Sequence, residues 1–126
     1  MGKIKFLFIL AIFTFLAICT NAQSDYKAGE SLTIASKILG ENRELYIKVP
    51  DDYDQSNKKY PVLYILDGQR LYFHGLSIMQ SFKQFKLSPD FIVVGIANKY
   101  PDRFTYFSNQ SDDFLDFIAK EILPMV

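Results

Sequence analysis

Thiol and imidazole are nearly absent from this chain: its 126 residues include one cysteine, Cys19, and one histidine, His74. Cys19 falls in a segment with the marks of a secretory leader. The mature chain is therefore expected to carry no disulfide, no cysteine nucleophile and no thiolate ligand. One histidine cannot assemble the usual zinc set, and no metal or cofactor is expected. Net charge is missing too, with 14 Lys and Arg against 14 Asp and Glu. Loss of Lys3 and Lys5 with the leader makes the rest slightly acidic, which argues against a nucleic-acid partner. From Gln23 onward there is no repeat, no low-complexity tract and no Pro/Gly/Ser linker, so the chain builds at most one globular domain.

Residues 1–22 read as the leader. Lys3 and Lys5 form its basic start, Phe6 to Ile18 its apolar core, and Thr20-Asn21-Ala22 its small-residue cleavage site. The apolar run is shorter than the roughly 20 residues of a membrane span, so no stable span is expected after cleavage. Two other readings are a retained anchor and lipidation at Cys19. Leu16-Ala17-Ile18-Cys19 has only part of a lipoprotein box, because Ile18 stands where a small residue belongs. The expectation is export to the periplasm or the extracellular space. The two parts are then residues 1–22 as signal peptide and 23–126 as the folded domain, beginning with a Gln23 able to cyclise.

Alternation marks the next segments. Ser31 to Leu39 and Glu44 to Val49 have the period of half-exposed strands, joined by Gly40, Glu41 and Asn42 into an antiparallel hairpin. Val62 to Leu66 and Phe91 to Ile96 are unbroken apolar runs, as in strands buried on both faces. Between them, about Leu71 to Phe85 predicts a helix with Leu71, His74 or Gly75, Ile78, Phe82 and Phe85 on its apolar stripe. After a loop from Asn98 to Gln110, Ser111 is the expected N-cap of a second helix. Asp112 and Asp113 suit its positive end, and Phe114, Phe117, Ile118 and Ile122 form its stripe.

The apolar run Val62 to Leu66 stops abruptly at Asp67-Gly68-Gln69-Arg70. Sites of open α/β sheets lie at the carboxyl ends of strands, so this change of character is either a plain turn or part of a site.

The blocks "SKILGENRELYIKVPDDYDQSNKKYPVLYILDGQRLYF", "PDFIVVGIAN" and "DDFLDFIAKEILP" resemble the N-terminal part of the esterases of the α/β-hydrolase fold related to esterase D and ferric-enterobactin esterase. The resemblance runs from about Ser31 to Pro124. It implies an α/β fold: the N-terminal part of an α/β-hydrolase sheet, with an antiparallel hairpin, then parallel strands with crossover helices, truncated before the nucleophile elbow. In that family the turn after the third strand helps form an oxyanion hole. The resemblance thus makes the backbone of Gly68 and Gln69 oxyanion candidates, with Gly68 leaving room for a tetrahedral intermediate.

The family's Gly-Xaa-Ser-Xaa-Gly elbow does not occur here. Ser77 has Gly75 two residues before it but Met79 two after, and is not expected to be a nucleophile. His74 reads as a residue of the pocket rim. The triad is expected beyond Val126, with no catalytic residue in this chain. Asp67, His74, Arg103 and Tyr106 are candidates for the pocket wall. Arg103 either holds a substrate carboxylate or braces its loop. Tyr100, Phe104, Tyr106 and Phe107 either line an acyl pocket or pack as core.

The implied function is that of an N-terminal fragment of an exported serine carboxylic-ester hydrolase, inactive alone, whose intact form takes a small-molecule ester. Siderophore, acyl-sugar, feruloyl and short-chain esters all fit the family. The alternative is a secreted non-catalytic binding module built on the same fold. A last expectation is that the strand Val62 to Leu66 keeps one unpaired edge, making the isolated chain poorly stable.

Overall fold

Alternation along Glu41–Lys48 places Arg43, Leu45 and Ile47 on one face of a strand, and that face carries the larger core. In the computed structural model, which describes residues 28–99 and 101–126, this strand is β2, paired antiparallel with β1 (Glu30–Ser36). β3 (Val62–Leu66) and β4 (Ile92–Ile96) are parallel to each other, and β4 pairs antiparallel with β2. The sheet order is β1-β2-β4-β3. The leader 1–22, Cys19, Gln23 and Tyr100 lie outside the described residues.

Helix α1 (Gly68–Gln84) crosses from β3 to β4, α2 (Asp102–Tyr106) follows β4, and α3 (Ser111–Phe117) continues through a π turn, Ile118–Ile122, into a 3₁₀ turn at Leu123–Met125. On one sheet face Tyr72 and Leu76 of α1 pack on Val93. On the other, Phe114, Phe117 and Ile122 pack with Leu45, Ile92, Val94 and Ile96. None of the described helices is long and apolar enough to cross a membrane.

Several local expectations are corrected. The hairpin turn falls at residues 37–40, and Glu41 and Asn42 belong to β2. Strand pairing stops at Ser36 because its hydroxyl accepts the Leu39 N–H, while the Glu121 carboxylate accepts those of Lys37 and Ile38. These bonds draw residues 37–39 out of the ladder. Gly40 closes the turn at φ 68°. The expected loop 98–110 contains α2, whose N-terminal cap position is Pro101. Ser111 is the first residue of α3 rather than its cap; Gln110 takes the cap position, without a side-chain bond. The run Val62 to Leu66 is only half-buried, because β3 lies at the sheet edge.

The largest correction concerns α1. Its buried residues are Gly68, Tyr72 and Leu76. The expected stripe is exposed instead: Leu71 to 47%, Ile78 to 58%, Phe82 to 47% and Phe85 to 71%. Two glycine contacts explain the rotation. A Cβ on Gly68 would lie 2.7 Å from the Gly95 carbonyl carbon, and one on Gly95 would lie 2.8 Å from the Tyr72 ring. The helix therefore sits directly on the β4 backbone, with the Tyr72 ring filling the space over Gly95.

Gly68→Ala should lower stability by about 1–3 kcal/mol, because the methyl meets backbone rather than a movable side chain. His74→Ala, on the exposed side of the same helix, should change it by less than about 0.5 kcal/mol. Urea unfolding of both variants measures the difference; equal midpoints would contradict the contact.

Candidate active-site turn

Parallel pairing of Leu66 with Ile96 brings the ends of β3 and β4 side by side, so Asp67 and Asn98 meet just past the sheet. Asp67 adopts a left-handed conformation, φ 55° and ψ 42°, at the cap position of α1. Aspartate tolerates this region better than most residues, at a cost of about 1–2 kcal/mol. An Asp there would ordinarily accept an N–H of the first helical turn. Here the carboxylate makes no cap bond. Its Oδ1 accepts the Asn98 amide N–H at 3.2 Å, and its Oδ2 accepts Arg103 Nε at 2.7 Å.

Asn98 is the hub of the arrangement. Its side-chain oxygen accepts from Arg43, and its backbone N–H and carbonyl both bond the Gln69 side-chain amide. Arg43, 3% exposed, also donates to the Ala97 carbonyl at 2.7 Å and to Glu41 at 2.8 Å. Its guanidinium carbon lies 5.0 Å from the Tyr106 ring centre and within 6 Å of Phe114 and Phe117, distances suited to cation–π attraction. Its Nε is buried without a hydrogen-bond partner.

The result is a strand-to-helix turn fixed from three elements. The first backbone bonds at the start of α1 are made by Arg70 and Leu71, both to the Asp67 carbonyl. The N–H groups of Gly68 and Gln69 precede the first i→i−4 bond, and the Asp67 carboxylate is turned elsewhere. Two donors at a helix N-terminus suit an oxygen that gains negative charge. The ion pair with Arg103 balances the charge of Asp67 beside them.

Gly68 has its Cβ direction filled by β4, so its lack of a side chain serves helix packing rather than room for a ligand. Arg103 braces the turn through Asp67 and lies over Phe107 at 5.0 Å. Tyr106 packs in the larger core and donates its hydroxyl to Glu41 at 2.8 Å, whereas Phe104 is exposed. His74 and Ser77 stand on the outer surface of α1 beside Phe73 and Ile78. The His74 ring meets the Arg70 carbonyl and Ser77 donates to the Phe73 carbonyl, so each bonds its own helix and not the other. Among the described residues no cluster of three His, Cys, Asp or Glu could hold a metal ion.

Arg43, Asn98 and Glu41 were not among the residues expected at the site. Extending the β2 alternation back from Leu45 would have put Arg43 on the core face, where a charge must find a buried partner. Asn98 carried the same kind of signal, a polar residue directly after the six buried residues Ile92 to Ala97.

An open α/β sheet, a hairpin at its start and a donor-bearing turn at the end of a parallel strand define the class: an α/β fold of hydrolase type. The particular family follows from sequence. The model of the family described as "Putative esterase" matches residues 36–126, and the chain belongs to that family. It is similar to the IroE-like serine hydrolase from Shewanella oneidensis, with 30% identity and a TM-score of 0.65 over 77% of this chain and 37% of that one. The enterobactin esterase FES from Shigella flexneri shares the fold, with 18% identity and a TM-score of 0.67 over 82% of this chain and 26% of that one. The uncharacterised protein YbbA of Bacillus subtilis is 24% identical over 98 residues, 68% of this chain and 39% of its own length. The chain thus spans well under half the length of these relatives.

Burial raises the pKa of Glu41, but hydrogen bonds from Arg43 and Tyr106 lower it further, and the net shift is downward from 4.5. A lowered folded value means the carboxylate contributes stability above pH 4.5, lost as pH falls through the folded pKa. Glu41→Gln should therefore have a lower urea midpoint than the parent at pH 7, and the gap should narrow near about pH 3.5. An equal gap at both pH values would refute the linkage.

Proposed function

We propose that this chain is the N-terminal part of an exported serine hydrolase of small-molecule carboxylic esters, whose intact form works through an acyl-enzyme. The observation that carries this reading is the diverted Asp67 carboxylate. The residue best suited to cap α1 bonds Asn98 and Arg103 instead, leaving Gly68 and Gln69 N–H to a substrate oxygen. When a serine attacks an ester carbonyl, the carbonyl oxygen takes up charge and such donors stabilise it. Loss of one donor costs roughly 10²–10³-fold in rate.

The serine, acid and histidine of the triad are assigned to chain following Val126. Within the 126 residues there is no Gly-Xaa-Ser-Xaa-Gly, and Ser77 and His74 are each engaged with their own helix. The substrate class rests on the family and on the Shigella neighbour, an esterase named for enterobactin. Export rests on the leader-like residues 1–22.

The 126-residue chain should not hydrolyse p-nitrophenyl acetate above the buffer rate, and Ser77→Ala should change nothing. Turnover that disappears with Ser77→Ala would overturn the assignment of the triad. Reading the native transcript past Val126 tests the rest. An open frame leading to Gly-Xaa-Ser-Xaa-Gly supports the hydrolase, and a stop codon directly after Val126 supports a non-catalytic binding module.

A further inference from the structure

The Asp67 carboxylate has two partners among the described residues, and they are unequal. Arg103 is half exposed, where water competes for its bond. Asn98 is buried, and its orientation is fixed from behind. A side-chain amide has one accepting and one donating end. The accepting end, Oδ1, is taken by Arg43, so the donating Nδ2 faces Asp67 Oδ1, 3.2 Å away. Turning the amide over would set its N–H against a buried cation and its oxygen against a carboxylate, both repulsive.

We propose that Asn98 is a positioning residue for the site: its amide, oriented by Arg43, keeps Asp67 from capping α1 and so keeps the Gln69 N–H open to a substrate oxygen. The use of that donor rests on the hydrolase reading; which residue keeps it open rests on the geometry of this chain alone. Asn98 acts through Asp67 and not on a reacting atom. Its side chain is also separable from the fold. The Gln69 side chain bonds the backbone N–H and carbonyl of Asn98, so that clamp survives replacement of the side chain. Arg43 keeps the Ala97 carbonyl and Glu41. Asn98→Asp leaves an acceptor for Arg43 but sets a second carboxylate against Asp67. Asn98→Leu removes both polar ends at similar volume. In either variant the Asp67 carboxylate loses its buried partner and takes the Gln69 N–H, as an Asp at the cap position ordinarily does, and its left-handed backbone relaxes.

The test is amide hydrogen exchange of the 126-residue chain, followed by NMR. In the parent the Gln69 N–H should exchange within about 10-fold of an unstructured amide; in both variants it should slow at least about 10-fold while the β4 amides stay protected. Loss of stability alone acts in the opposite direction, speeding exchange throughout. Adding Asp67→Gly to either variant should restore fast exchange, because no carboxylate is left to cap. A protected Gln69 N–H in the parent, or a fast one in variants whose β4 stays protected, would overturn the proposal. If neither variant keeps β4 protected, Asp67→Gly alone decides: an Asn98 side-chain N–H should exchange at least about 10-fold faster than in the parent, and an unchanged rate would overturn the proposal. In the native-length protein Asn98→Leu should lower kcat for p-nitrophenyl acetate at least about 10-fold with KM within about 2-fold. An unchanged kcat beside a closed Gln69 N–H overturns the positioning role. A native-length parent without activity overturns the hydrolase reading instead, and the exchange pattern still shows whether Asn98 holds the turn open.

Discussion

Burial of the Arg43 guanidinium is the constraint on which the end of this sheet depends. A cation this far from water needs partners for its donors, and its two terminal nitrogens find Glu41 on its own strand, the Ala97 carbonyl and the Asn98 side chain just past β4, while Nε is left without one. Aromatic faces of Tyr106, Phe114 and Phe117 supply the remaining contact. Because Asn98 is held from that side, its amide N–H points to Asp67 and its backbone is free to take both ends of the Gln69 amide. The position of a turn on one side of the sheet is thus set by a charge buried on the other.

That chain of bonds also accounts for the backbone of Asp67. A left-handed aspartate costs about 1–2 kcal/mol, and a helix start without a side-chain cap forgoes roughly another 1 kcal/mol. Both are offset by charge-assisted bonds to the carboxylate, worth about 1.5–3 kcal/mol each. Arg103 is half in water, so its share is at the low end or below. Strain at a residue bonded from two elements marks a position the surroundings over-determine. What the arrangement preserves is the Gln69 N–H, the donor an ordinary cap would take, next to that of Gly68.

Much of this was legible in the residues, and the exceptions have physical causes. β3 and β4 were visible as short apolar runs, and β3 was read with its observed ends. The stripe of α3 was correct because Phe114, Phe117 and Ile122 meet the one sheet face that the described chain covers well. α1 failed because hydrophobicity alone cannot say which of two adjacent stripes faces the sheet. Leu71, Ile78, Phe82 and Phe85 are the larger residues, but Gly68 and Gly95 decide the close approach, and glycine carries no weight in a periodicity argument. Arg43 was missed because a charge in a half-exposed strand is ordinarily assigned to the solvent side. The Gly68 and Gln69 turn, with Asp67 and Arg103, was found from the end of the apolar run and the resemblance, while Glu41, Arg43 and Asn98 were not, since they lie in β2 and past β4, far from the turn in sequence.

The two ends of the structure are therefore unlike in kind. At the carboxyl end of β3, Asp67 and Asn98, just past β3 and β4, are held with Arg43 of β2, Gln69 of α1 and Arg103 of α2 in one conformation through directional bonds. Along the open side of β3 and α1 the contacts are apolar and lack a described partner. Directional bonds select a single geometry with little area, whereas an apolar stripe supplies adhesion without specifying register. The turn proposed to present two N–H groups to a reacting oxygen would need the first kind of support, since a displacement on the order of 1 Å is enough to cost about 10²-fold in rate. The sequence reflects this division: the residues that hold the turn are charged or amide-bearing and spread from Glu41 to Arg103, while those of the open face lie in two local runs, Val62–Leu66 and the stripe of α1.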